Sequence, residues 1–245
     1  VKLCGLNACR AIFRHRPDDI VRVYLTEQRL PELRDVLQWC AKERRAYHIV
    51  AADELARITQ STHHEGVCIL ARRMKQISLR ELRNALSARQ TPHCVLMVEG
   101  VGNPHNLGAI ARVAAHFGAA ALILAPGDGA DLPTLSAATH RTAEGGLEAV
   151  SVSYVSDAVR AARDLVEDGY TLAGTSSHAG ASLYAASLPD RVVFLLGSES
   201  EGLSPALLAE TTECLAIPGT GAVESLNVAC ATAVLCAEFS RTHAG

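Results

Sequence analysis

The sequence predicts an α/β protein: a mainly parallel sheet covered on both faces by helices, preceded by a smaller α/β unit. Three observations lead there. From Cys94 onward, apolar runs of strand length alternate with helical stretches, the pattern of strands buried on both faces and joined by crossovers. Glycine and short polar residues gather directly after those runs, as they do at the carboxyl edge of an open sheet, where ligands bind. A polar stretch from Met74 to Gln90 divides this region from an N-terminal third of different charge.

The N-terminal unit reads as a helix over Ala8 to His15, a strand at Val21 to Leu25, and a helix opening at Pro31 with Leu33, Val36, Leu37 and Cys40 on one face. A strand at Tyr47 to Ala51, a short helix near Asp53 to Thr59 and a strand at Val67 to Ala71 complete it. Ser78 and Glu81 form a capping box ahead of Leu79, Leu82 and Leu86 at helical spacing, which gives the polar stretch one short helix. The expected division is therefore residues 1–77, a connector over 78–92, and a larger domain over 93–245. In the latter, strands are expected at Val95 to Val98, Ala121 to Leu124, Leu172 to Gly174, Val192 to Leu196 and Cys214 to Ile217. A last apolar helix spans Val228 to Phe239.

Composition removes several classes of function. With 49% hydrophobic and 20% charged residues in 245, the chain can bury a large core, and no apolar run reaches the length of a membrane span. Aromatics make up 4%, too few for a protein that grips single strands mainly by stacking bases. The net charge of −3 conceals a split: residues 1–80 carry 15 Lys and Arg against 9 Asp and Glu, whereas the remainder carries 8 against 17. A polyanion would thus be met by the N-terminal unit, with Arg10, Arg14 and Arg16 on its first helix and Arg44 and Arg45 after its second. The eight cysteines include no Cys-x-x-Cys pair and sit mostly in apolar segments, as reduced core residues do. With no apolar leader in Val1 to Gly5, a cytoplasmic location is expected.

Three segments carry the chemistry. The run from Asn103 through Pro104, His105, Asn106, Leu107 and Gly108 to Arg112 leads from a strand end into a helix ending near Gly118, with Asn106 the expected N-cap. Arg112 lies on a face with Gly108 and His116, away from Ile110 and Phe117, where a guanidinium can grasp a phosphate or carboxylate. The residues after Gly102 break the dinucleotide-binding fingerprint, so a nicotinamide enzyme is disfavoured. The second segment, Leu195 to Ser204, places Glu199 just beyond a buried strand, and the third, Ile217 to Asn227, runs straight into the last helix. Singly, each is an ordinary glycine-rich turn or helix cap.

In this order the three segments closely resemble the signature motifs of the SpoU, or TrmH, branch of the SPOUT methyltransferases, which transfer a methyl group from S-adenosylmethionine to a ribose 2′-hydroxyl in RNA. The resemblance covers residues 93–245, and the preceding segment, with Gly5 to Ala11 and His63 to Ile69, looks like that family's ribosomal-protein-like substrate-binding domain. The stretch His140 to Glu148 is similar to an uncharacterised bacterial subgroup. The resemblance implies a trefoil-knotted catalytic domain that dimerises through helices such as Val228 to Phe239, so that an active site can borrow an arginine from the partner subunit. It implies S-adenosylmethionine as cofactor, ribosomal or transfer RNA as substrate, and no metal.

Residue by residue, the resemblance assigns the reaction centre to Asn106, Arg112, Glu199, Ser225 and Asn227, all of which match the family pattern. It assigns the cofactor pocket to the backbone around Gly197, Ile217 and Leu226, with Thr175 nearby and Glu199 shared between the two sets. Arg112 would engage the substrate phosphate and ribose together; as a guanidinium it is a poor base on its own. Ser198, where many members carry Asn, departs from the pattern, and His105 is shared with only some relatives. Two other readings stay open: a catalytically idle RNA-binding relative in ribosome assembly, and an enzyme using another nucleotide in an ordinary doubly wound sheet.

Overall fold

The structure, a computed structural model, describes residues 1–127, 129–175 and 180–243; the residues at 128, 176–179 and 244–245 lie outside it. The N-terminal unit runs β1 (Lys2–Cys4), α1 (Leu6–His15), β2 (Ile20–Leu25), α2 (Arg34–Lys42), β3 (Ala46–Ile49), α3 (Ala52–Thr59) and β4 (Val67–Ala71). Its sheet has the order β1-β4-β2-β3, antiparallel except for the β2–β3 pair. α1 buries Ala8, Cys9 and Ile12 on one face, and the Glu65 carboxylate caps it by accepting from the Leu6 N–H at 3.0 Å. The second helix opens at Arg34 rather than Pro31, which lies in the preceding turn; Leu33, Val36 and Cys40 still face the core as their spacing requires.

The remainder runs α4 (Leu79–Ser87), β5 (His93–Glu99), α5 (Pro104–Phe117), β6 (Ala121–Ala125), α6 (Ala137–Ala143), α7 (Gly146–Ala149), β7 (Ser151–Tyr154), α8 (Ala158–Glu167), β8 (Thr171–Thr175), β9 (Ala181–Ser182), β10 (Arg191–Leu196), α9 (Pro205–Leu208), β11 (Glu213–Ala216) and α10 (Val228–His243). The seven-stranded sheet has the order β7-β6-β5-β10-β8-β11-β9, and every pairing is parallel. All seven residues of β5 are buried, and they alternate between two cores. Cys94, Leu96 and Val98 join α5, α6, α7 and α10 on one face; Val95 and Met97 join α4, α8 and α9 on the other. That period of two explains why the strand reads as an unbroken apolar run.

The capping box at Ser78 and Glu81 is formed as expected. Leu82 and Leu86 of α4 are buried in the second core, and Ile77, just ahead of that helix, bridges to Ser153.

The two units are also joined through side chains. Arg16, at the end of α1, donates from Nε to Glu148 Oε2 at 2.5 Å, while His140 Nδ1 stands 3.4 Å from Glu148 Oε1. The Glu148 side chain is only 2% exposed. Burial pushes its pKa upward, but the hydrogen bonds from His140 and Arg16 and the charge of Arg16 outweigh that and bring it down to about 2. Gly145 (φ 94°) tightens the same seam, since a Cβ there would lie 2.5 Å from the Ala11 Cβ.

Candidate active site

In the parallel array β5-β10-β8-β11 the carboxyl ends lie along one edge, so Glu99, Gly197, Thr175 and Ile217 end up side by side although they are far apart in the chain. The loop after β10 is fixed at both ends. At its start Gly197 approaches the returning chain so closely that a Cβ would lie 2.0 Å from the Gly202 carbonyl carbon, which only glycine permits. Ser198 N–H donates to Gly202 O at 3.1 Å and Gly202 N–H returns to Ser198 O at 2.9 Å, closing a tight turn. The Ser198 hydroxyl accepts from Glu201 N–H at 3.1 Å and so braces the turn. At the far end Ser204 caps α9, and the buried Glu99 carboxylate accepts from both Ser204 N–H (2.7 Å) and its hydroxyl (2.8 Å).

The first segment departs from expectation in its cap. Asn103, not Asn106, caps α5: its side chain accepts from His105 N–H at 2.9 Å, and Pro104, which lacks an N–H, takes the first helical position. Asn106 is thereby moved into the first turn with its amide released from capping. Asn227 does cap its helix, accepting from Ala229 N–H at 3.0 Å. With the oxygen so committed, its Nδ2 turns outward and donates to Asn106 Oδ1 at 3.1 Å and to Glu199 Oε1. Asn106 Nδ2 in turn donates to Glu199 Oε2 at 2.8 Å.

Asn106, Glu199 and Asn227 thus form a closed triangle in which both carboxylate oxygens are held by side-chain amides. The carboxylate lies against the N-terminal turns of α5 and α10, where helix dipoles favour negative charge. Ser225 and Leu226 lie exposed on the stretch entering α10, and Val223 (72%) and Leu226 (46%) present apolar side chains to solvent there. The Thr175 hydroxyl donates to Leu195 O at 3.1 Å, tying β8 to β10 at the same edge.

Arg112 does not join the triangle. It lies six positions beyond Asn106 on α5, about 9 Å along the axis and turned well away from it. Its Nη1 is 2.9 Å from Glu144 Oε1. There it borders a cavity of about 370 Å³ between the two units, lined among others by Arg10, Arg14 and His15 of α1 and by His116. A second cavity of about 640 Å³ is lined by Thr62, His63, Glu65, His105, Arg141, Thr142 and Glu144.

Sequence reasoning misses Glu99 and Glu144. A carboxylate directly after the apolar run Cys94 to Val98 is a signal for the first; Glu144 has none, because its partners come from α1 and α5. Among the described residues no three His, Cys, Asp or Glu side chains cluster so as to hold a metal ion, and no helix is long and apolar enough to cross a membrane.

Residues 93–237 match the profile of the SpoU rRNA methylase family, and residues 2–76 match that of the RNA 2′-O ribose methyltransferase substrate-binding domain. The chain is 38% identical over 242 residues to an uncharacterized tRNA/rRNA methyltransferase, YfiF, of Escherichia coli O157:H7, covering 99% of this chain and 68% of that one. It is 32% identical over 245 residues to the 23S rRNA (guanosine-2′-O-)-methyltransferase RlmB of Bordetella pertussis, covering 99% and 98%. Among solved structures, the SpoU methyltransferase AviRb of Streptomyces viridochromogenes in complex with AdoMet superposes with a TM-score of 0.79 at 22% identity, over 98% of this chain and 89% of that one.

Proposed function

The chain belongs to the SpoU rRNA methylase family, and from that premise we propose that it transfers the methyl group of S-adenosylmethionine to a ribose 2′-hydroxyl of ribosomal or transfer RNA. The observation that carries the reading is the triangle of Asn106, Glu199 and Asn227, which unites the three sequence motifs at one strand edge.

The residues at that edge fit the cofactor. The backbone following β10 and β11 offers peptide groups, Gly197 lets the loop after β10 fold back tightly on Gly202, and the exposed Leu226 and Val223 supply an apolar surface for a purine. When bound, S-adenosylmethionine supplies an electrophilic methyl carbon. The chain's own task is to align a ribose oxygen on it within about 3 to 3.5 Å and to ease departure of the hydroxyl proton. Asn106 and Asn227, locked by Glu199, fix the loop against which the ribose is oriented. Arg112 anchors the phosphate and the ribose hydroxyl together, and Ser225 orders the loop entering α10.

We infer that the active unit is a homodimer and that the knot expected of this family is formed by the chain after β10. Insertion of β10 between β5 and β8 supports the second inference. The first is supported by the separation of Arg112 from the triangle, since a partner subunit's arginine can complete each site. Light scattering should read about twice 26.0 kDa, and mixing Arg112→Ala with Asn106→Ala subunits should restore turnover that neither has alone. A monomer without complementation would overturn it.

The N-terminal unit is expected to hold RNA by phosphates rather than base edges. Calorimetry with S-adenosylmethionine, NAD and ATP tests the cofactor assignment directly: binding of the first alone supports it, and binding of either nucleotide instead refutes it. Methyl transfer to RNA separates an enzyme from an idle RNA-binding relative.

A further inference from the structure

We propose that Glu144 is an intramolecular stand-in for an RNA phosphate: it occupies Arg112 at the seam between the two units and is displaced when substrate RNA enters. The inference rests on the RNA-methyltransferase reading and adds to it a residue that sets how RNA engages Arg112.

Glu144 lines both cavities between the units, the one bordered by Arg10, Arg14, His15, Arg112 and His116 and the one bordered by His63, His105 and Arg141. In the first, its carboxylate is the one acidic group among the described lining residues. A surface that collects cations from both units and supplies a single carboxylate is built for further negative charge.

The carboxylate is also held in place. One oxygen pairs with Arg112 Nη1 at 2.9 Å, and the other accepts from Asn7 Nδ2 of α1 at 3.2 Å. Its backbone adopts a left-handed conformation (φ 47°), uncommon for a residue other than glycine, at the end of α6. The glycines that follow fix that position from both sides. A Cβ on Gly145 would strike Ala11 of α1, and one on Gly146 would lie 2.6 Å from the Ala111 carbonyl oxygen and 2.8 Å from the Arg112 Cα. The segment from His140 to Glu148 thus serves as a rigid seat: Glu148 binds Arg16 of the N-terminal unit, and Glu144 presents its carboxylate to Arg112.

Held is not the same as strong. The Arg112 and Glu144 side chains are 58% and 41% exposed, and an ion pair so open to water is weak and screened by salt. A phosphate offers the same guanidinium a paired acceptor of equal or greater charge, with Arg10 and Arg14 close by to share it. The exchange is therefore easy, and it releases Asn7 and Glu144 only when a polyanion has entered the seam.

Glu144→Gln tests this, because it keeps the size of the side chain and an oxygen for Asn7 while removing the charge. Binding is read with a short labelled RNA hairpin of arbitrary sequence, across a salt series, on the full chain. Affinity at low salt should rise about fivefold, and the gain should shrink as salt rises, because salt itself loosens the exposed Arg112–Glu144 pair of the wild type while the number of phosphates engaged stays the same. In turnover with ribosomal RNA the change should fall on KM. Arg112→Gln carried alone and together with Glu144→Gln completes the cycle: the gain should vanish without Arg112. A Glu144→Gln protein with unchanged or weaker RNA binding overturns the proposal, as does a gain that persists without Arg112. Failure of the methyltransferase reading would show separately, as wild-type protein that binds the hairpin but transfers no methyl group.

Discussion

Asn227 Nδ2 lies 3.1 Å from Asn106 Oδ1, joining residues 121 positions apart at the starts of two helices. The bond has a defined direction because the Asn227 oxygen is already engaged by Ala229 N–H. Helix capping and site geometry are thus coupled in one side chain, and substitution can separate them.

Asn227→Ala removes both functions. Loss of the cap should cost about 1 kcal/mol and lower the Tm by a few degrees. Asn227→Ser keeps a capping oxygen but has no amide to donate, so its Tm should stay near wild type while methyl transfer falls about a hundredfold, as expected for a misplaced reacting group. Thermal unfolding and single-turnover assays on the two variants check this. Wild-type turnover in the serine variant would show that the triangle serves only the fold.

Gly197→Ala should damage the site from the backbone outward. The added methyl has no room beside Gly202, so the turn bearing Glu199 must shift. The expected cost is about 1 to 3 kcal/mol, with weakened S-adenosylmethionine binding. Calorimetric titration and thermal unfolding read the two effects together.

The seam between the units should make stability depend on acid. Glu148 titrates at about 2 in the folded protein, below the ordinary carboxylate value near 4.3. A depressed carboxylate contributes stability that is fully present above the unfolded value and is lost as pH falls through the folded one. The contribution, about 3 kcal/mol, should therefore fade between roughly pH 5 and pH 2. Glu148→Gln should be less stable at neutral pH and should show a shallower loss of stability over that window in denaturant titrations.

Charge on α1 should set RNA affinity. Deleting residues 1–77 would also strip Arg16 from the buried Glu148, so substitution is the cleaner probe. Arg10→Gln with Arg14→Gln should weaken RNA binding uniformly across sequences and reduce the salt slope by about 0.7 to 0.9 for each phosphate left without its arginine, with cofactor affinity unchanged. An unaltered slope would place the RNA elsewhere.

Much of the fold is legible because burial writes itself into local pattern. β5, β6 and β10 are apolar on both faces, so they stand out as runs, and Ser78 with Glu81 spells its own cap. β7 escapes notice because Ser-Val-Ser-Tyr is short and half polar; Ser153 is buried through a hydrogen bond to Ile77 O that no local pattern announces. Asn103 and Asn106 are equally good caps by composition, and the choice falls to Pro104, whose fixed φ suits the first helical position. The motif residues Asn106, Glu199 and Asn227 are recognisable by type and order, but their mutual bonds, and the pairing of Arg112 with Glu144, depend on how distant segments pack.

Alkaline hydrolysis reads transfer of a methyl group to a ribose oxygen, because a methylated 2′-oxygen can no longer attack the adjacent phosphate. Protein incubated with methyl-labelled S-adenosylmethionine and unmodified ribosomal and transfer RNA should place label in alkali-resistant dinucleotides, and Arg112→Ala should place none while binding the cofactor normally. Label confined to bases, or a cofactor-bound wild-type protein that labels neither RNA, would rule out ribose methylation by this chain.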